Sequence, residues 1–498
     1  MINSLIANKS FKDKVKSLIK YFIFILPLFS ILISFLQHDL NIWGNYEQFF
    51  FHSDAVHFNG ISKNILTWKG NFTDWLLPGA PRYFPTFILT FIIAFLTKNY
   101  FLTQIIFLIA QAIIFNLLFV IILDVFLQRD HSTLLVGIFN LFLIFFLHFP
   151  PFNYMFMADH HFGTFINMLI SLTFILKLKT DKYYWIIILN FMFFLFTFSN
   201  PIFLILFILP LIIRNIILSN RFSFNFVNNF SFLIVSLIAI YLKKIIYSHL
   251  NCSSCNPTYQ NVDTITFDNI IVSLYHIKEF FLTHSKALQN FFVSLSLALP
   301  LIFLLLKFKK KQLKDLSEKK LTIFIILFFS AIFTISSFTF LNLNPQFRHL
   351  YTLYFSGFIY IPLVFHKAIS KFLKAFYSKV LICIFSLSFF LSAKNIDLDK
   401  NLNFDFYPEE IKYIDSILNE LNLQNGIAIF SIANKLTFFS KRELKIIPHH
   451  TIKPLHWNIN KKWIKSGKPE FIINMNPKLF GYSYKKIFTY KDIEVYIL

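Results

Sequence analysis

The chain has 498 residues, of which 56% are hydrophobic and only 14% are charged, and its mean hydropathy is +0.60. Soluble domains contain about 25% charged residues, so this composition excludes a purely water-soluble protein. The formal net charge of +22 comes largely from lysines in short segments between apolar runs, which favours the orientation signal of a membrane protein over nucleic-acid binding.

Apolar runs that can cross a bilayer recur along most of the chain. A helix needs roughly 20 apolar residues to cross a hydrocarbon core of about 30 Å. The first run follows a basic stretch, and no small-residue cleavage site follows it, which indicates an uncleaved helix rather than a signal peptide. We predict about eleven spans, at residues 21–37, 101–127, 133–149, 162–176, 183–199, 201–218, 224–247, 291–306, 321–341, 350–365 and 380–393.

The lysines predict the orientation of these spans. They are concentrated in the segments 1–20, 307–320 and 366–379. The proposed outer loops, 38–100, 150–161, 248–290 and 342–349, are poorer in basic residues. Because positive charge favours the cytoplasmic side, we expect the N-terminus to be cytoplasmic and the C-terminal part to lie outside. Lys243 and Lys244, near the outer end of their span, are the main exception.

This orientation requires residues 83–97 not to cross the membrane. The run is short, begins after Pro81, contains Pro85 and ends at Lys98. We predict a tilted, re-entrant or peripheral helix on the outer side. The alternative is a twelfth span, which would place the C-terminus inside.

From about residue 394 the composition becomes that of a small soluble domain. Residues 408–421 read as an amphipathic helix, because its isoleucines and leucines share one face. Short strand-like runs follow at 427–432, 436–439, 444–447 and 471–475, and then a hairpin of 487–490 and 493–497. We therefore expect a polytopic α-helical transmembrane catalytic domain at 1–393 and an extracytoplasmic α/β domain at 394–498.

The first outer loop contains Asp54, flanked by aromatic residues and followed by His57. Aromatic side chains favour the membrane interface, where partial desolvation suits a carboxylate for general-base chemistry near neutral pH. Asp54 is therefore a candidate catalytic residue, and His57 a weaker candidate for binding an acceptor or a metal. The alternative is an ordinary surface aspartate.

The second outer loop contains Asp159-His160-His161 at the mouth of a helix. Ionisable groups near the membrane are costly and are therefore functional candidates. Asp159 could orient an acceptor, or it could bind a divalent cation such as Mg²⁺ or Mn²⁺ together with a histidine. Adjacent helical residues point about 100° apart, so the two histidines do not easily share one site. A pair of interfacial histidines is the alternative.

Two arginines are candidates for binding an anion on the outer side. Arg348 opens a late span, and Arg82 precedes the 83–97 run. A guanidinium matches phosphate through bidentate hydrogen bonds, and the phosphate of a polyprenyl lipid would lie at that depth. The alternative is interfacial anchoring to ordinary lipid headgroups.

Cys252 and Cys255 form a C-x-x-C in the loop 248–290. A single pair is too few for a usual structural zinc site. A local disulfide and two ordinary thiols both remain open.

Four short motifs together resemble the GT-C superfamily of membrane glycosyltransferases, which includes protein O-mannosyltransferases, aminoarabinose transferases and oligosaccharyltransferases. They are Asp54-Ala55-Val56-His57-Phe58, Pro81-Arg82-Tyr83-Phe84-Pro85, Asp159-His160-His161 and Arg348-His349-Leu350-Tyr351. Two positions depart from the family pattern. Ala55 stands where O-mannosyltransferases have a second acid, and His349 stands where a tyrosine is usual.

The resemblance implies an inverting transfer of a sugar from a polyprenyl-phosphate carrier to an extracytoplasmic lipid, glycan or protein. Asp54 would be the base, Arg348 and Arg82 would bind the donor phosphate, and Asp159 with the histidines would hold the acceptor or a cation. The implied partners are the donor, membrane lipids and the acceptor, with no nucleic acid. The expected location is a bacterial inner membrane with the C-terminal domain in the periplasm.

Two other classes of function remain open. A lipid-linked glycan polymerase or ligase usually has a central outer loop rich in arginine, and residues 248–290 contain none. A transporter or flippase would favour charges within its spans and two related halves, and neither is evident in the sequence.

Overall fold

The computed structural model describes residues 9–37, 53–76, 82–146, 162–177, 183–218, 226–249, 267–280, 287–309, 317–340, 351–394, 399, 401–449, 454, 459–465 and 467–498. In this part of the chain a bundle of apolar helices is joined to a C-terminal α/β domain. The bundle helices are α1 (Lys9–Gln37), α2 (Ser53–Trp68), α3 (Ile88–Thr97), α4 (Tyr100–Leu123), α5 (Arg129–Phe146), α6 (Phe162–Lys177), α7 (Tyr183–Ser199), α8 (Leu209–Leu218), α9 (Phe226–His249), α10 (Phe267–Glu279), α11 (Ala287–Lys309), α12 (Glu318–Phe340) and α13 (Tyr351–Lys394).

Apolar length explains most of the bundle. Among the described helices, four are long and apolar enough to cross a membrane, namely Tyr100–Leu123, Asn228–Ile246, Glu318–Ser337 and Tyr351–Leu391, and six further apolar helices are shorter. Large apolar side chains on several of them point outward, for example Leu96, Phe191 and Phe390 at 73%, 62% and 65% exposure. A lipid environment satisfies such faces, so the chain is an integral membrane protein.

Helix α13 differs from the prediction of two spans joined by a loop at 366–379. The structure continues the helix through that segment, with one non-helical residue at Phe365, three residues after Pro362. At 1.5 Å per residue, its 44 residues exceed the thickness of a hydrocarbon core, so the break at Phe365 separates two arms. The second arm packs on α1 and α5 through Leu373, Leu381 and Ile384.

The segment before α3 is held by its neighbours. A π-helical turn at Tyr83–Phe87 leads into α3. The Ser199 hydroxyl accepts a hydrogen bond from the Phe84 amide at 3.0 Å and donates one to the Phe84 carbonyl at 2.9 Å. The side-chain amide of Asn167 also donates to that carbonyl at 3.1 Å. The turn is therefore fixed between α6 and α7.

The C-terminal end of α1 and the N-terminal end of α4 lie at the same end of the bundle. The Asn403 amide donates to the Leu36 carbonyl at 2.9 Å, and the Asn99 side chain donates to the Phe404 carbonyl at 2.7 Å. Both contacts involve the neighbouring residues Asn403 and Phe404, so the chain leaves α1 and enters α4 at one end.

The elements of the C-terminal domain are α14 (Glu409–Glu420), β2 (Asn425–Ile429), α15 (Phe430–Phe439), β3 (Lys445–His449), β5 (Phe471–Ile473), β6 (Lys486–Tyr490) and β7 (Ile493–Ile497). The five strands form one sheet in the order β3-β2-β5-β7-β6. The first three strands are parallel, and the last two are antiparallel to their neighbours. Two short elements, β4 (Ile459–Asn460) and α16 (Lys461–Ile464), lie between β3 and β5.

The predicted helix and terminal hairpin of this domain agree with the structure, but one predicted strand is wrong. Residues 436–439 belong to α15 rather than to a strand, because this helix connects the parallel strands β2 and β3. The predicted strand at 427–432 ends at Ile429, where the same helix begins.

The close contact between β2 and β5 gives a test of this sheet. A Cβ added at Gly426 would overlap the ring of Phe471, which is fully buried. We expect Gly426→Ala to destabilise the domain by about 1–3 kcal/mol through overpacking. Faster hydrogen exchange in β2 and β5 of the full-length protein would show this loss.

Gly60→Ala is the matched control. Among the described residues, its added Cβ would meet only Thr437 Cγ2, at an ordinary contact distance of 3.8 Å. Alanine also has a higher helix propensity than glycine. Equal effects of the two substitutions would contradict the packing described here.

Candidate functional site

Helix α2 lies in the predicted first outer loop and carries the first candidate residues. Asp54 is its second residue, one turn before His57. Residues three apart on a helix share a face, so the helix backbone places these two positions together. Sequence reasoning read this stretch as a loop, whereas the structure makes it a helix of 16 residues.

The His57 side chain is buried at 1% exposure, beside the rings of Phe58 and Trp75 at centroid distances of 5.4 and 5.9 Å. Neither ring nitrogen has a hydrogen-bond partner within the described part of the chain. Burial, together with the smaller effect of the nearby positive charge of Arg82, lowers the pKa of His57 to about 3. The imidazole is therefore neutral at physiological pH.

Arg82 is placed by an unusual backbone conformation. Its φ of 52° and ψ of 42° lie in the left-handed region, which is uncommon for a residue other than glycine and is often associated with functional sites. Its amide donates to the Ser199 carbonyl at 3.1 Å, and the residue is only 9% exposed. The end of α7 thus holds the guanidinium close to α2.

Lys243 is the third member of this group, and it comes from α9. The residue is 7% exposed, and it interacts electrostatically with Arg82. His57, Arg82 and Lys243, which we call the basic cluster, come from three separate segments of the sequence. Sequence reasoning proposed the first two residues for binding and treated Lys243 only as an exception to the charge rule. That misplaced charge near the outer end of a span was the available signal.

The remaining predicted site residues, Asp159, His160, His161, Arg348, Cys252 and Cys255, lie outside the described residues. The helices that follow two of their loops do meet. Phe162 opens α6 and Tyr351 opens α13, and their rings are 5.2 Å apart in an edge-to-face arrangement. A Cβ at Gly163 would lie 2.7 Å from the Thr86 hydroxyl, so α6 also begins against the turn that follows Arg82.

The described residues offer no group of three histidine, cysteine, aspartate or glutamate side chains that could hold a metal ion. The surroundings of His57 also do not suit a cation, because the positive charge of Arg82 acts directly on the imidazole. The arrangement instead suits an anion, which favourable electrostatics would draw to the basic cluster.

Comparison with known proteins gives structural similarity but no match in sequence. No family model matches the chain, and neither does any curated protein. The structure is similar to a crystal structure of the Archaeoglobus fulgidus oligosaccharyltransferase in complex with zinc and sulfate, with 12% sequence identity and a TM-score of 0.44, over 90% of this chain and 67% of that one. Oligosaccharyltransferases are among the enzymes of the superfamily that the sequence motifs resemble. At this level of similarity, the functional proposal rests on the chain's own residues.

The buried neutral His57 predicts a loss of stability in acid. Between pH 6.5 and about 3 the unfolded chain binds a proton at this residue that the folded chain does not. The free energy of unfolding should therefore fall as the pH falls, by about 2 kcal/mol from pH 7 to pH 5. Thermal unfolding of the purified protein at the two pH values measures this change.

The control is a comparison of two histidine substitutions. His57→Gln should reduce the difference between the two pH values, whereas His276→Gln, at an exposed position of α10, should leave it unchanged. An unaltered acid sensitivity in His57→Gln would show that this residue is not the buried neutral group.

Proposed function

We propose that the chain is a GT-C-type inverting glycosyltransferase, which moves a sugar from a polyprenyl-phosphate carrier to an extracytoplasmic acceptor. The basic cluster is the observation that carries this proposal. It includes His57 of α2, the helix whose second residue is Asp54, and its other two members are held by the apolar helices of the bundle. A lipid-linked phosphate needs an apolar surface for its tail and fixed positive charge where the tail ends.

The chemistry of the cluster fits a phosphate group. Arg82 and Lys243 repel each other, and Arg82 also disfavours a proton on His57. An anion placed between them would be attracted by both positive charges. A guanidinium binds two phosphate oxygens at once, and a lysine adds a compact charge. The neutral imidazole of His57 supplies one further N–H donor and one acceptor for the phosphate or the sugar.

In the proposed reaction, Asp54 accepts a proton from the hydroxyl or amine of the acceptor. The acceptor atom then attacks the anomeric carbon from the face opposite the phosphate, so the configuration inverts. The bond between that carbon and the phosphate oxygen breaks, and the lipid phosphate leaves with the electron pair. Arg82, together with Arg348, stabilises the negative charge that develops on this oxygen.

Other parts of the proposal depend on the motifs alone. Asp159, His160 and His161 orient the acceptor or hold a divalent cation such as Mg²⁺ or Mn²⁺. The N-terminus is cytoplasmic, the C-terminal domain faces the periplasm, and the membrane is a bacterial inner membrane. The identities of the sugar and the acceptor follow from experiment.

Binding of a long-chain polyprenyl phosphate tests the role of Arg82. Loss of a charge-assisted hydrogen-bonding partner costs about 1.5–3 kcal/mol, so Arg82→Gln in lipid nanodiscs should weaken binding of this probe by roughly 10–150-fold. The same substitution should not change the binding of the corresponding polyprenol, which has no phosphate.

Arg129→Gln is the matched control, since Arg129 is exposed at the start of α5. It should leave the affinity for polyprenyl phosphate unchanged. Equal affinities of wild type and Arg82→Gln would contradict the proposed phosphate site. Normal binding without any sugar transfer would instead favour a carrier flippase or a polymerase.

A further inference from the structure

Lys63 joins the first outer helix to the C-terminal domain. It lies on α2, is 7% exposed, and reaches residues that are more than 370 positions away in the sequence. Its ammonium group donates to the carbonyls of Thr437 at 3.3 Å, Phe438 at 2.9 Å and Ser440. All three protons of the ammonium are thus used within one contact.

These carbonyls belong to the C-terminal end of α15. The last carbonyls of a helix have no partner within the helix, and the helix dipole makes this end partially negative. Lys63 therefore caps α15 from another part of the chain. The Asp415 carboxylate lies near enough to favour the charged lysine, although burial is the larger effect and lowers the pKa of Lys63 to about 8.

Asp415 extends the contact into the domain. Its carboxylate accepts hydrogen bonds from the Tyr407 hydroxyl at 2.6 Å, from the Ser440 hydroxyl at 2.8 Å and from the Lys441 amide at 3.0 Å. Ser440 thus contacts Lys63 through its carbonyl and Asp415 through its side chain. The end of α15 is held from both sides.

A second contact joins the same two parts of the molecule. The strand β1 (Trp75–Leu76), which follows α2, pairs antiparallel with β4. The rings of Trp75 and Trp463 are 5.2 Å apart, and Lys462 forms an ion pair with Asp74 at 2.8 Å. This contact leads directly to the candidate site, because the Trp75 ring also packs against His57.

The seam between these parts is not filled completely. A cavity of about 360 Å³ remains beside Lys63, with Lys98, Tyr100, Asp405 and Phe406 among its lining residues. Close packing stabilises an interface through many small contacts, and the cavity removes some of them here.

We infer that the C-terminal domain holds α2 in the position that transfer requires, and that Lys63 is the positioning residue that secures it. This inference rests on the proposed function, in which α2 carries Asp54 and His57. The two contacts fix the helix at its middle and just beyond its end, and small displacements of a catalytic group are costly in rate. Lys63 itself touches neither the donor nor the acceptor.

Lys63→Met removes the charge and the three hydrogen bonds while keeping a long unbranched side chain. In the full-length protein we expect hydrogen exchange to accelerate at least tenfold in both Ser53–Trp68 and Phe430–Phe439. We expect kcat for sugar transfer to fall at least tenfold, with KM for the donor and affinity for polyprenyl phosphate changing less than threefold. Lys63→Arg, which keeps the charge and the donors, should restore most of the loss.

Lys435→Met is the matched control, because Lys435 lies on α15 and pairs with Glu410 inside the C-terminal domain. It should leave exchange in α2 and kcat unchanged. Should Lys63→Met fail to accumulate, Trp463→Leu loosens the second contact and is expected to give the same pattern.

Unchanged exchange in α2 in these variants would overturn the inference, and so would a kcat that is unchanged despite faster exchange. Failure of the proposed function would look different, because wild-type protein would then transfer no sugar. In that event the exchange data still decide whether the C-terminal domain positions α2.

Discussion

The buried ammonium group of Lys63 is a central contact between the two parts of this molecule. Lys63 can leave water only because the carbonyls at the end of α15 accept its hydrogen bonds and the Asp415 carboxylate lies nearby. The consequence reaches beyond α15, since α2 is held in one position against the C-terminal domain. The aromatic contacts of Trp75 with Trp463 and His57 then connect that domain to the candidate site.

The site combines two costs that a membrane protein usually avoids. Arg82 and Lys243 place positive charge in buried positions next to an imidazole with no described hydrogen-bond partner. The backbone of Arg82 adopts a left-handed conformation to bring its side chain there. Such costs are typical of positions selected for binding rather than for stability. In the proposed function, the phosphate of the lipid carrier supplies negative charge at this position.

The sequence predicted much of the bundle because apolar length is a strong signal. The ends of α6 and α7 fall within one residue of the predicted limits. Two kinds of feature could not be predicted from the sequence. Leu436–Phe439 is a short apolar run that fits a strand or a buried helix equally well, and only its place between two parallel strands decides for a helix. Helix α2 has a mixed composition, and its buried face is created by residues far along the chain. For the same reason Lys243 became a candidate only once its electrostatic interaction with Arg82 was known.

The proposed transfer depends most on Asp54, since every other role is arranged around α2, of which it is the second residue. The most direct measurement compares the masses of envelope glycolipids and glycoproteins from cells that express wild-type protein with those from cells that express Asp54→Asn at the same level. We expect the loss of one defined sugar mass from one class of acceptor, with the protein folded and present in the membrane. Identical glycans in the two strains, at equal levels of folded protein, would contradict it.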